Sequence, residues 1–499
     1  MTGAPTIEVD PVETVDPVET VEVAVLGAGF AGIGMGARLA REGHRSFVIL
    51  ERASEVGGTW RDNRYPGVAC DVPAHLYSYS FRQKADWSRL FAPGGEILDY
   101  LRATVADEGL EPHLRLGTEV RSVEWADGAW SIDTRRGRYV ARSVVVAAGR
   151  LAEPVADPVD GFTGTAFHSA RWPEGLDLRG ARVGVVGTGS SAAQIIPQVA
   201  AEAEQLVVFQ RTPAWVIPRD DRAYTPDEID AFDRDPVALR QYRDDLFAAA
   251  ERGFDARTIA TEAHAALHAL ANAHRDSQVP DAGLREILTP DYEIGCKRVV
   301  ISDDYFPAFA RPNVTLEPSA LESASGRRVR AASGASYELD VLVFATGFTA
   351  SRPPYAAMVV GRDGETLAEH WRDGMRAYAS TVVHGFPNLF VLNGPNATLG
   401  HNSAIHVIES QIGYVAGALA HGASTGSTIE VSAEAEHRYV EEIDRRAATT
   451  VWTTGRCSSW YLDPVSRRLA LIWPGTAASF RQQNGTFDPA PFEESLLRR

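Results

Sequence analysis

The chain has 499 residues, 44% of them apolar, so it can bury more than one hydrophobic core, and its length predicts two or three domains. Its 49 lysines and arginines against 66 aspartates and glutamates give a net charge of -17, which excludes nucleic acids and anionic membrane surfaces as general partners and favours small molecules. Three scattered cysteines, Cys70, Cys296 and Cys457, exclude a disulfide scaffold, a thiolate zinc site and a CxxC redox pair, and they predict a reducing, cytoplasmic setting.

The first twenty residues contain the sequence VDPVET twice, starting at Val9 and at Val15. Proline and acidic residues at this density predict a disordered acidic tail over 1–20. The segment is acidic where a secretory signal is basic and then apolar, and no apolar run in the chain reaches the length needed to span a bilayer. The sequence therefore predicts neither a signal peptide nor a membrane span.

The first strong pattern along the chain is a strand, a glycine-rich turn and a helix. The strand over 22–26 leads into a turn formed by Gly27, Ala28, Gly29, Phe30, Ala31 and Gly32. A second strand, 47–50, ends in Glu51, which lies 24 residues after Gly27. This is the βαβ fingerprint of a dinucleotide-binding fold, in which the acid holds the ribose hydroxyls. It predicts a site for FAD or NAD.

The same unit recurs in the middle of the chain. A strand over 182–186 leads into a turn formed by Gly187, Thr188, Gly189, Ser190, Ser191 and Ala192. The next strand, 206–209, is followed by Arg211 and Thr212, and Arg211 lies 24 residues after Gly187. An arginine at the ribose position suits a 2′-phosphate, which a glutamate would repel. The second unit therefore predicts a site for NADP.

These patterns predict the fold class: an α/β protein with two doubly wound, Rossmann-like dinucleotide-binding domains and a helical insertion. Each unit has a later strand that ends in small residues, Ala148 and Gly149 in the first, and Ala345, Thr346 and Gly347 in the second, which let the chain pass close to a bound dinucleotide. The predicted divisions are a first FAD-binding part at 21–155, a linker at 156–180, an NADP-binding domain at 181–350 with helices at about 225–290, a second linker at 351–380, and a second FAD-binding part at 381–499.

Two dinucleotide sites leave several oxidoreductase classes open: disulfide reductases, ferredoxin-type reductases and monooxygenases. The scarcity of cysteines excludes the first class. Directly after the ribose acid, the segment 57–71 contains two glycines, Trp60, a Tyr-Pro-Gly sequence and Asp71, and its position places it over the flavin. A glycine- and proline-rich surface loop with a buried tryptophan is the competing interpretation of this segment.

The segment 162–173 fits the pattern FxGxxxHxxxWP, and the segment 57–71 fits [AG]GxWxxxx[FY]P[GM]xxxD at every fixed position. On these motifs the chain resembles the type I Baeyer–Villiger monooxygenases, over essentially all residues after 20. Flavin-containing N- and S-oxygenases have a related linker without the final Trp172-Pro173. The resemblance implies bound FAD, NADPH as reductant, and molecular oxygen and a small-molecule carbonyl compound as substrates. The product is an ester or a lactone, formed through a peroxide at flavin C4a.

The resemblance also assigns roles. Arg298 matches the family's active-site arginine, which stabilises the peroxide anion and the oxyanion of the adduct, and Asp71 matches the carboxylate that holds it. Lys297 matches the residue that binds the NADP 2′-phosphate with Arg211 and Thr212. Trp460 resembles the tryptophan beside the nicotinamide, for which a buried structural tryptophan is the alternative. The further predicted cofactor contacts are Arg52, Gly58, Thr59, Trp60, Val72, Tyr77, Val120, Gln194, Asn402 and Ser403.

Other hypotheses remain open from the sequence. His168 in the linker motif is expected to act in conformational change between the domains and not as an acid or base. A helix behind Ser403 is expected to point its amide groups at the flavin, although a plain helix cap explains Ser403 equally well. His264, His268 and His274 lack the acids or cysteines of a recognisable ligand pattern, so no metal is predicted. A flavin N- or S-oxygenase, and a flavin-binding sensor or NADPH oxidase, are the alternative functions. A monomer or a dimer is expected.

Overall fold

The computed structural model describes residues 18–155 and 159–496. The predicted acidic tail therefore lies outside the described residues as far as residue 17. For residues 18–20 the prediction is wrong, because they already belong to the first strand, whose backbone pairs with a parallel neighbour from Val18 onward. Glu19 in this extension forms an ion pair of 2.9 Å with Arg115. Backbone pairing needs no apolar side chains, so the composition of the tail gave no sign of it.

The strands and helices alternate along most of the chain. The strands are β1 (Val18–Leu26), β2 (Phe47–Leu50), β3 (Leu114–Arg115), β4 (Val120–Ala126), β5 (Ala129–Thr134), β6 (Gly137–Val146), β7 (Thr165–His168), β8 (Arg182–Val186), β9 (Gln205–Phe209), β10 (Val216–Ile217), β11 (Val300–Ile301), β12 (Val314–Glu317), β13 (Leu321–Ser325), β14 (Arg328–Ala331), β15 (Ser336–Glu338), β16 (Val341–Phe344), β17 (Val359–Val360), β18 (Leu389–Val391), β19 (Ser427–Val431) and β20 (Phe492–Leu496). The helices are α1 (Phe30–Arg41), α2 (Thr59–Asp62), α3 (Gly94–Asp107), α4 (Ser190–Glu202), α5 (Pro226–Arg234), α6 (Pro236–Glu251), α7 (Glu262–Gln278), α8 (Ala282–Ile287), α9 (Tyr305–Ala308), α10 (Leu367–His370), α11 (Ala404–Thr425), α12 (Ala433–Ala447), α13 (Val451–Thr454) and α14 (Ala477–Asn484). Short 3₁₀ helices occur at Glu111–His113, Ser169–Arg171, Arg252–Arg257 and Pro354–Met358.

The first sheet holds the first glycine turn. Within the described residues its eight strands run in the order β17-β4-β5-β6-β1-β2-β3, and β18 pairs with β6 outside this path. The strand β1 lies between β2 and β6 and is parallel to both. Because the end of β1, all of β2 and the end of β6 are buried, these stretches are almost entirely apolar. The chain returns to this sheet through β17 and β18, far downstream of the other six strands.

The second sheet holds the second glycine turn. Its five strands have the order β12-β9-β8-β16-β7, and every pair is parallel. The edge strand β7 comes from the segment predicted as a linker, so the motif at 162–173 is partly built into the sheet. The second sheet is entirely parallel, and the first is parallel around β1 but antiparallel where β5 pairs with β4 and β6. These sheets, with helices packed on them, confirm the predicted α/β class with two doubly wound domains.

Four helices, α5 to α8, occupy the region for which the sequence predicts a helical insertion. The first is closed at its start by a capping box: the Thr225 hydroxyl accepts from the Glu228 amide at 3.3 Å, and the Glu228 carboxylate accepts from the Thr225 amide at 2.8 Å. The next helix reaches the first domain, because Arg243 donates to the His75 carbonyl at 2.5 Å. A further helix of the insertion, α7, packs against β10 in the second domain, so the insertion contacts both domains.

A disulfide between Cys296 and Cys457 corrects the prediction from the cysteine count. The two residues are 161 positions apart in sequence, yet their Cα atoms lie 6.3 Å apart. The fold brings the loop before β11 onto the segment after α13, a proximity that spacing alone does not reveal. Within the described part of the chain Cys70 is the free cysteine, and it is buried. Among the helices described here, none is long and apolar enough to cross a membrane.

Candidate active site

The first glycine turn brings α1 against the end of β6. At Gly27 the φ angle is +110°, and a Cβ atom there would lie 2.6 Å from the Ala147 carbonyl oxygen. At Gly32 a Cβ atom would lie 1.8 Å from the Gly27 carbonyl oxygen. Only glycine fits either position, because the turn and the helix pack backbone to backbone. The helix α1 has no side-chain cap, so its first amide groups remain open to a phosphate.

Glu51 closes the end of β2 as the sequence predicts. Its side chain is 5% exposed and accepts hydrogen bonds from the amides of Ala28 and Ala53, both at 2.9 Å. The guanidinium of Arg61 lies 3.1 Å from the same carboxylate. The ribose acid is therefore held in place by the glycine turn on one side and by a buried cation on the other.

A cavity of about 430 Å³ runs along this turn. The predicted cofactor residues that line it are Gly27, Gly29, Phe30, Ala31, Glu51, Arg52, Gly58, Thr59, Trp60, Tyr77, Val120, Ala148 and Gly149. The cavity thus joins the glycine turn, the ribose acid and the start of the segment 57–71. An uncapped helix, a glycine cradle and an apolar wall are the features that fit FAD.

Several predicted FAD residues lie outside the lining of this cavity. They are Gly32, Asp71, Val72, Asn402 and Ser403. Ser403 caps α11 by accepting from the Ile405 amide at 3.2 Å, and Asn402 donates to Glu251 at 2.9 Å. The next residues of α11, Ala404 and Ile408, do line the cavity, so the beginning of this helix faces it.

The second glycine turn repeats the packing of the first. Gly187 has a φ angle of +114°, and a Cβ atom there would lie 2.6 Å from the carbonyl oxygen of Ala345, at the end of β16. The Thr188 hydroxyl donates to the Thr212 carbonyl at 2.8 Å, which fixes the loop after β9. The helix α4, which begins with Ser190, Ser191 and Ala192, has no side-chain cap. The three small residues Ala345, Thr346 and Gly347 follow β16 beside this turn.

Gln194, a predicted cofactor contact, has two hydrogen-bond partners outside its own domain. Its side chain donates to the Ala69 carbonyl at 2.9 Å and accepts from the Tyr65 hydroxyl at 3.1 Å. Both partners belong to the 57–71 segment. In this structure Gln194 therefore joins the second nucleotide domain to the segment that covers the first site.

Arg211 and Lys297 form a positively charged patch beside the second turn. Arg211 is exposed, and Lys297 is half-buried with its ammonium group 4.6 Å from the centre of the Tyr292 ring. Burial lowers the pKa of Lys297 below its ordinary value, and the positive charge of Arg211 lowers it further. Two cations that disfavour each other are a suitable receptor for a dianionic phosphate.

Arg298 and Asp71 meet at the junction of the two domains although 227 positions separate them. The Nε atom of Arg298 donates to Asp71 Oδ2 at 2.8 Å, and its Nη2 atom donates to the same oxygen. The carboxylate of Asp71 raises the pKa of Arg298 above its ordinary value against the opposing effect of burial. The structure therefore places a permanently charged guanidinium in a fixed orientation where the 57–71 segment meets the loop before β11.

Two residues near this pair were not among the predicted site residues, although one of them, Tyr461, directly follows the predicted contact Trp460. Tyr461 is 1% exposed; burial raises the pKa of its hydroxyl, and the charges of Arg298 and Arg257 oppose that rise. Arg257, from the insertion, donates to the Gly400 carbonyl at 2.8 Å, while its Nε and Nη1 atoms are buried without an acceptor. A single sequence gave no signal for Arg257, because its neighbours come from three distant segments.

Trp460 is 37% exposed and its ring lies 4.5 Å from that of Tyr461. The interpretation of Trp460 as a buried structural tryptophan is therefore wrong. His168 ends β7, and its Nδ1 atom accepts from the Ala170 amide at 3.1 Å. Among the residues that the structure describes, no group of three His, Cys, Asp or Glu side chains is arranged to hold a metal ion. His264 instead lies 3.3 Å from Glu293.

The cavity lining also contains polar residues that were not among the predicted contacts, including Arg61, Arg150, Tyr355 and Asn393. Arg61 occupies a variable position of the 57–71 motif and Arg150 directly follows Gly149, but nothing in their spacing separates them from surface arginines. Tyr355 and Asn393 come from segments far downstream, which reach the cavity because β17 and β18 join the first sheet.

The chain is similar to known proteins over almost its whole length. A family described as pyridine nucleotide-disulphide oxidoreductase matches residues 24–227. A Baeyer-Villiger monooxygenase of Streptomyces coelicolor is 43% identical over 94% of this chain and 92% of its own length, and one of Pseudomonas aeruginosa is 40% identical over 94% and 91%. Among solved structures, closed cyclohexanone monooxygenase has a TM-score of 0.86 at 29% identity, and oxidized steroid monooxygenase bound to NADP has 0.83 at 31%. Both solved structures cover 96% of this chain and are themselves covered completely. The chain belongs to the Baeyer–Villiger monooxygenase family.

Proposed function

We propose that the pair of Arg298 and Asp71 is the catalytic centre at which this FAD- and NADPH-dependent monooxygenase converts a ketone or an aldehyde into an ester or a lactone. FAD, when bound, accepts electrons from NADPH and activates molecular oxygen. The observation that carries the proposal is the ion pair itself, which joins residues 227 positions apart at the point where the two nucleotide domains meet.

Arg298 supplies positive charge where the reaction develops negative charge. A guanidinium does not lose its proton in proteins, and the Asp71 carboxylate makes loss of that proton still less favourable by raising the pKa of Arg298. It therefore stabilises an oxyanion on the substrate without acting as an acid. Asp71 holds the planar group through two hydrogen bonds to one oxygen, so its role is to orient Arg298.

The NADPH assignment rests on the second turn. We propose that the open amide groups at the start of α4 receive the diphosphate, and that Arg211, Thr212 and Lys297 receive the 2′-phosphate. Trp460, exposed beside Tyr461, is available to the nicotinamide. On the FAD side, Ala404 at the start of α11 lines the cavity, and we propose that the positive end of the helix dipole there favours negative charge on bound FAD.

The cytoplasm is the proposed location on the basis of composition. In that compartment the bond between Cys296 and Cys457 would be transient or responsive to the thiol pool. A count of free thiols in protein that is alkylated during cell lysis distinguishes an open pair from a closed one.

The function is tested by mixing NADPH-reduced enzyme with oxygen in the presence of ketones, amines and sulfides, and by identifying the products. We expect esters or lactones from ketones. Oxidation of amines or sulfides alone would indicate an N- or S-oxygenase instead, and hydrogen peroxide without an organic product would indicate an oxidase or a sensor.

The variant Arg298→Ala tests the site. We expect flavin reduction by NADPH to persist and ester formation to fall by about 100-fold or more, the usual effect of removing an oxyanion-stabilising donor. The matched control is Arg182→Ala, because the pair of Arg182 and Asp340 has almost the same side-chain exposure, 33% and 25% against 31% and 27%. Ester formation that survives in Arg298→Ala would remove Arg298 from the mechanism.

A further inference from the structure

Three arginines line the large cavity, and their pairing differs. Arg52 forms an ion pair with Glu153, and Arg61 pairs with Glu51 at 3.1 Å and with Asp62 at 2.7 Å. Arg150 has no carboxylate within ion-pair distance among the residues that the structure describes. The third arginine is thus a cavity cation whose charge the described protein leaves uncompensated.

Arg150 lies in the loop after β6, which ends at Val146, and one end of its guanidinium is held by hydrogen bonds. Its Nη2 atom donates to the carbonyl oxygens of Asn393 at 2.8 Å and Ala397 at 3.1 Å, and also to the side-chain oxygen of Asn393. Asn393 is itself fixed, because its amide donates to Gln411 at 2.8 Å. The guanidinium therefore has a defined orientation in the cavity wall.

The other end of the same guanidinium is open. The residue is 8% exposed, and its Nη1 atom is buried without a hydrogen-bond partner. Burial lowers the pKa of Arg150 to about 10, so the group is still charged at neutral pH. A buried cation with an unused N–H donor is costly unless an anion or an acceptor joins it.

The neighbours of Arg150 indicate that it lies where the flavin ring is expected to bind. Its anchor Asn393 lines the cavity together with Ala404, the first residue of α11. Arg150 also interacts electrostatically with Tyr355 and with Tyr461, and Tyr461 interacts in turn with Arg298. The predicted ribose acid Glu51 lines the same cavity.

We propose that Arg150 tunes the flavin: its free N–H group faces bound FAD, and its charge stabilises the negative charge that the ring acquires on reduction. The inference rests on the proposed function in that FAD fills this cavity. Hydride transfer from NADPH adds two electrons and one proton to the ring, which leaves the reduced flavin as an anion and releases NADP⁺. A cation near the ring therefore binds reduced FAD more tightly than oxidised FAD, and raises the reduction potential.

The test measures the midpoint potential of the FAD in purified holoenzyme, together with the dissociation constant of oxidised FAD. In Arg150→Gln we expect the affinity for reduced FAD to fall about tenfold relative to that for oxidised FAD, which corresponds to a potential about 30 mV lower. Arg150→Lys keeps the charge and should retain most of the potential. Arg142→Gln is the matched control, because Arg142 lies on β6, shortly before Arg150 in the chain, and also donates to carbonyl oxygens, those of Gly422 and Ser427, outside the cavity lining.

An unchanged potential in Arg150→Gln would overturn the proposal in either of two ways. If the affinity for oxidised FAD falls as well, Arg150 serves the diphosphate, since a charge there binds both oxidation states equally. If that affinity is also unchanged, Arg150 has a structural role only. The outcome is separable from the proposed function, because the potential is measured without a carbonyl substrate and ester formation is measured on the unaltered enzyme.

Discussion

The two nucleotide sites share one backbone design and differ in how their charges are arranged. At the first site the ribose acid Glu51 is buried and already paired with Arg61 and two amides. At the second site the corresponding residue Arg211 is exposed, and its nearest functional partner, Lys297, is another cation. On the proposed assignments, the first site has its charges paired before its ligand binds, whereas the cations of the second site are paired by the phosphate of its ligand. This contrast fits a retained FAD and an exchanging NADP.

The strongest test of this contrast is Glu51→Gln. Replacing the carboxylate by an amide leaves Asp62 as the only carboxylate paired with Arg61 and takes the acceptor from one of the two amides that Glu51 now binds, and breaking a buried ion pair typically costs about 3–5 kcal/mol. We expect a much lower melting temperature and protein that is purified without FAD, measured by thermal unfolding and by flavin absorbance. The exposed pair of Arg38 and Glu42 provides the control Glu42→Gln, which should change neither. A stable, FAD-loaded Glu51→Gln protein would show that the first site is not pre-assembled by this carboxylate.

The disulfide lies on the side of the second site. Cys296 directly precedes Lys297 and Arg298, and Cys457 lies shortly before Trp460. We expect Cys457→Ser to lower the free energy of unfolding by about 2–4 kcal/mol, because the bond limits the unfolded chain. Measured in urea, the loss should disappear when both proteins are fully reduced. A variant as stable as the oxidised parent would mean that the bond contributes nothing to the fold.

Sequence spacing predicts the two nucleotide-binding turns but not the pair at the junction of the domains. The positions of Gly27, Glu51, Gly187 and Arg211 follow from the βαβ unit, since each unit fixes its own turn and ribose residue within about 25 residues. The pairing of Arg298 with Asp71 was accessible only through the family resemblance.

What the sequence did not reveal depends on distant parts of the chain. The neighbours of Arg150 and Arg257 arrive through β18, the loop before α11 and the segment after α13, and no spacing rule connects these segments. The same holds for the bond between Cys296 and Cys457. The start of β1 at Val18 was missed for another reason, because strand pairing there is a property of the backbone.

The specificity of the second site is tested by Arg211→Ala. Loss of a charge-assisted contact to the 2′-phosphate is worth about 1.5–3 kcal/mol, so KM for NADPH should rise by about 10- to 100-fold. KM for NADH, which lacks that phosphate, should change little. Arg179→Ala is the control, since Arg179 is an exposed arginine of the same domain that pairs with Asp177. Equal losses for NADPH and NADH would contradict the assignment of Arg211.

The smallest expected effect is a pH dependence carried by Lys297. Burial and Arg211 lower the pKa of Lys297 in the free enzyme, whereas a bound phosphate favours the charged ammonium and raises it. The affinity for NADPH should therefore be fully present below the free-enzyme pKa and should weaken as the pH rises through it, beginning below the usual lysine value of about 10.4. The 2′-phosphate itself ionises near pH 6 and does not titrate in this range. KM for NADPH, measured at rising alkaline pH, should increase severalfold in the unaltered enzyme and stay flat in Lys297→Arg, because a guanidinium remains charged there. If KM rises equally with NADH, or equally in Lys297→Arg, another group titrates. The phosphate of the ligand would then not be what stabilises the charge of Lys297.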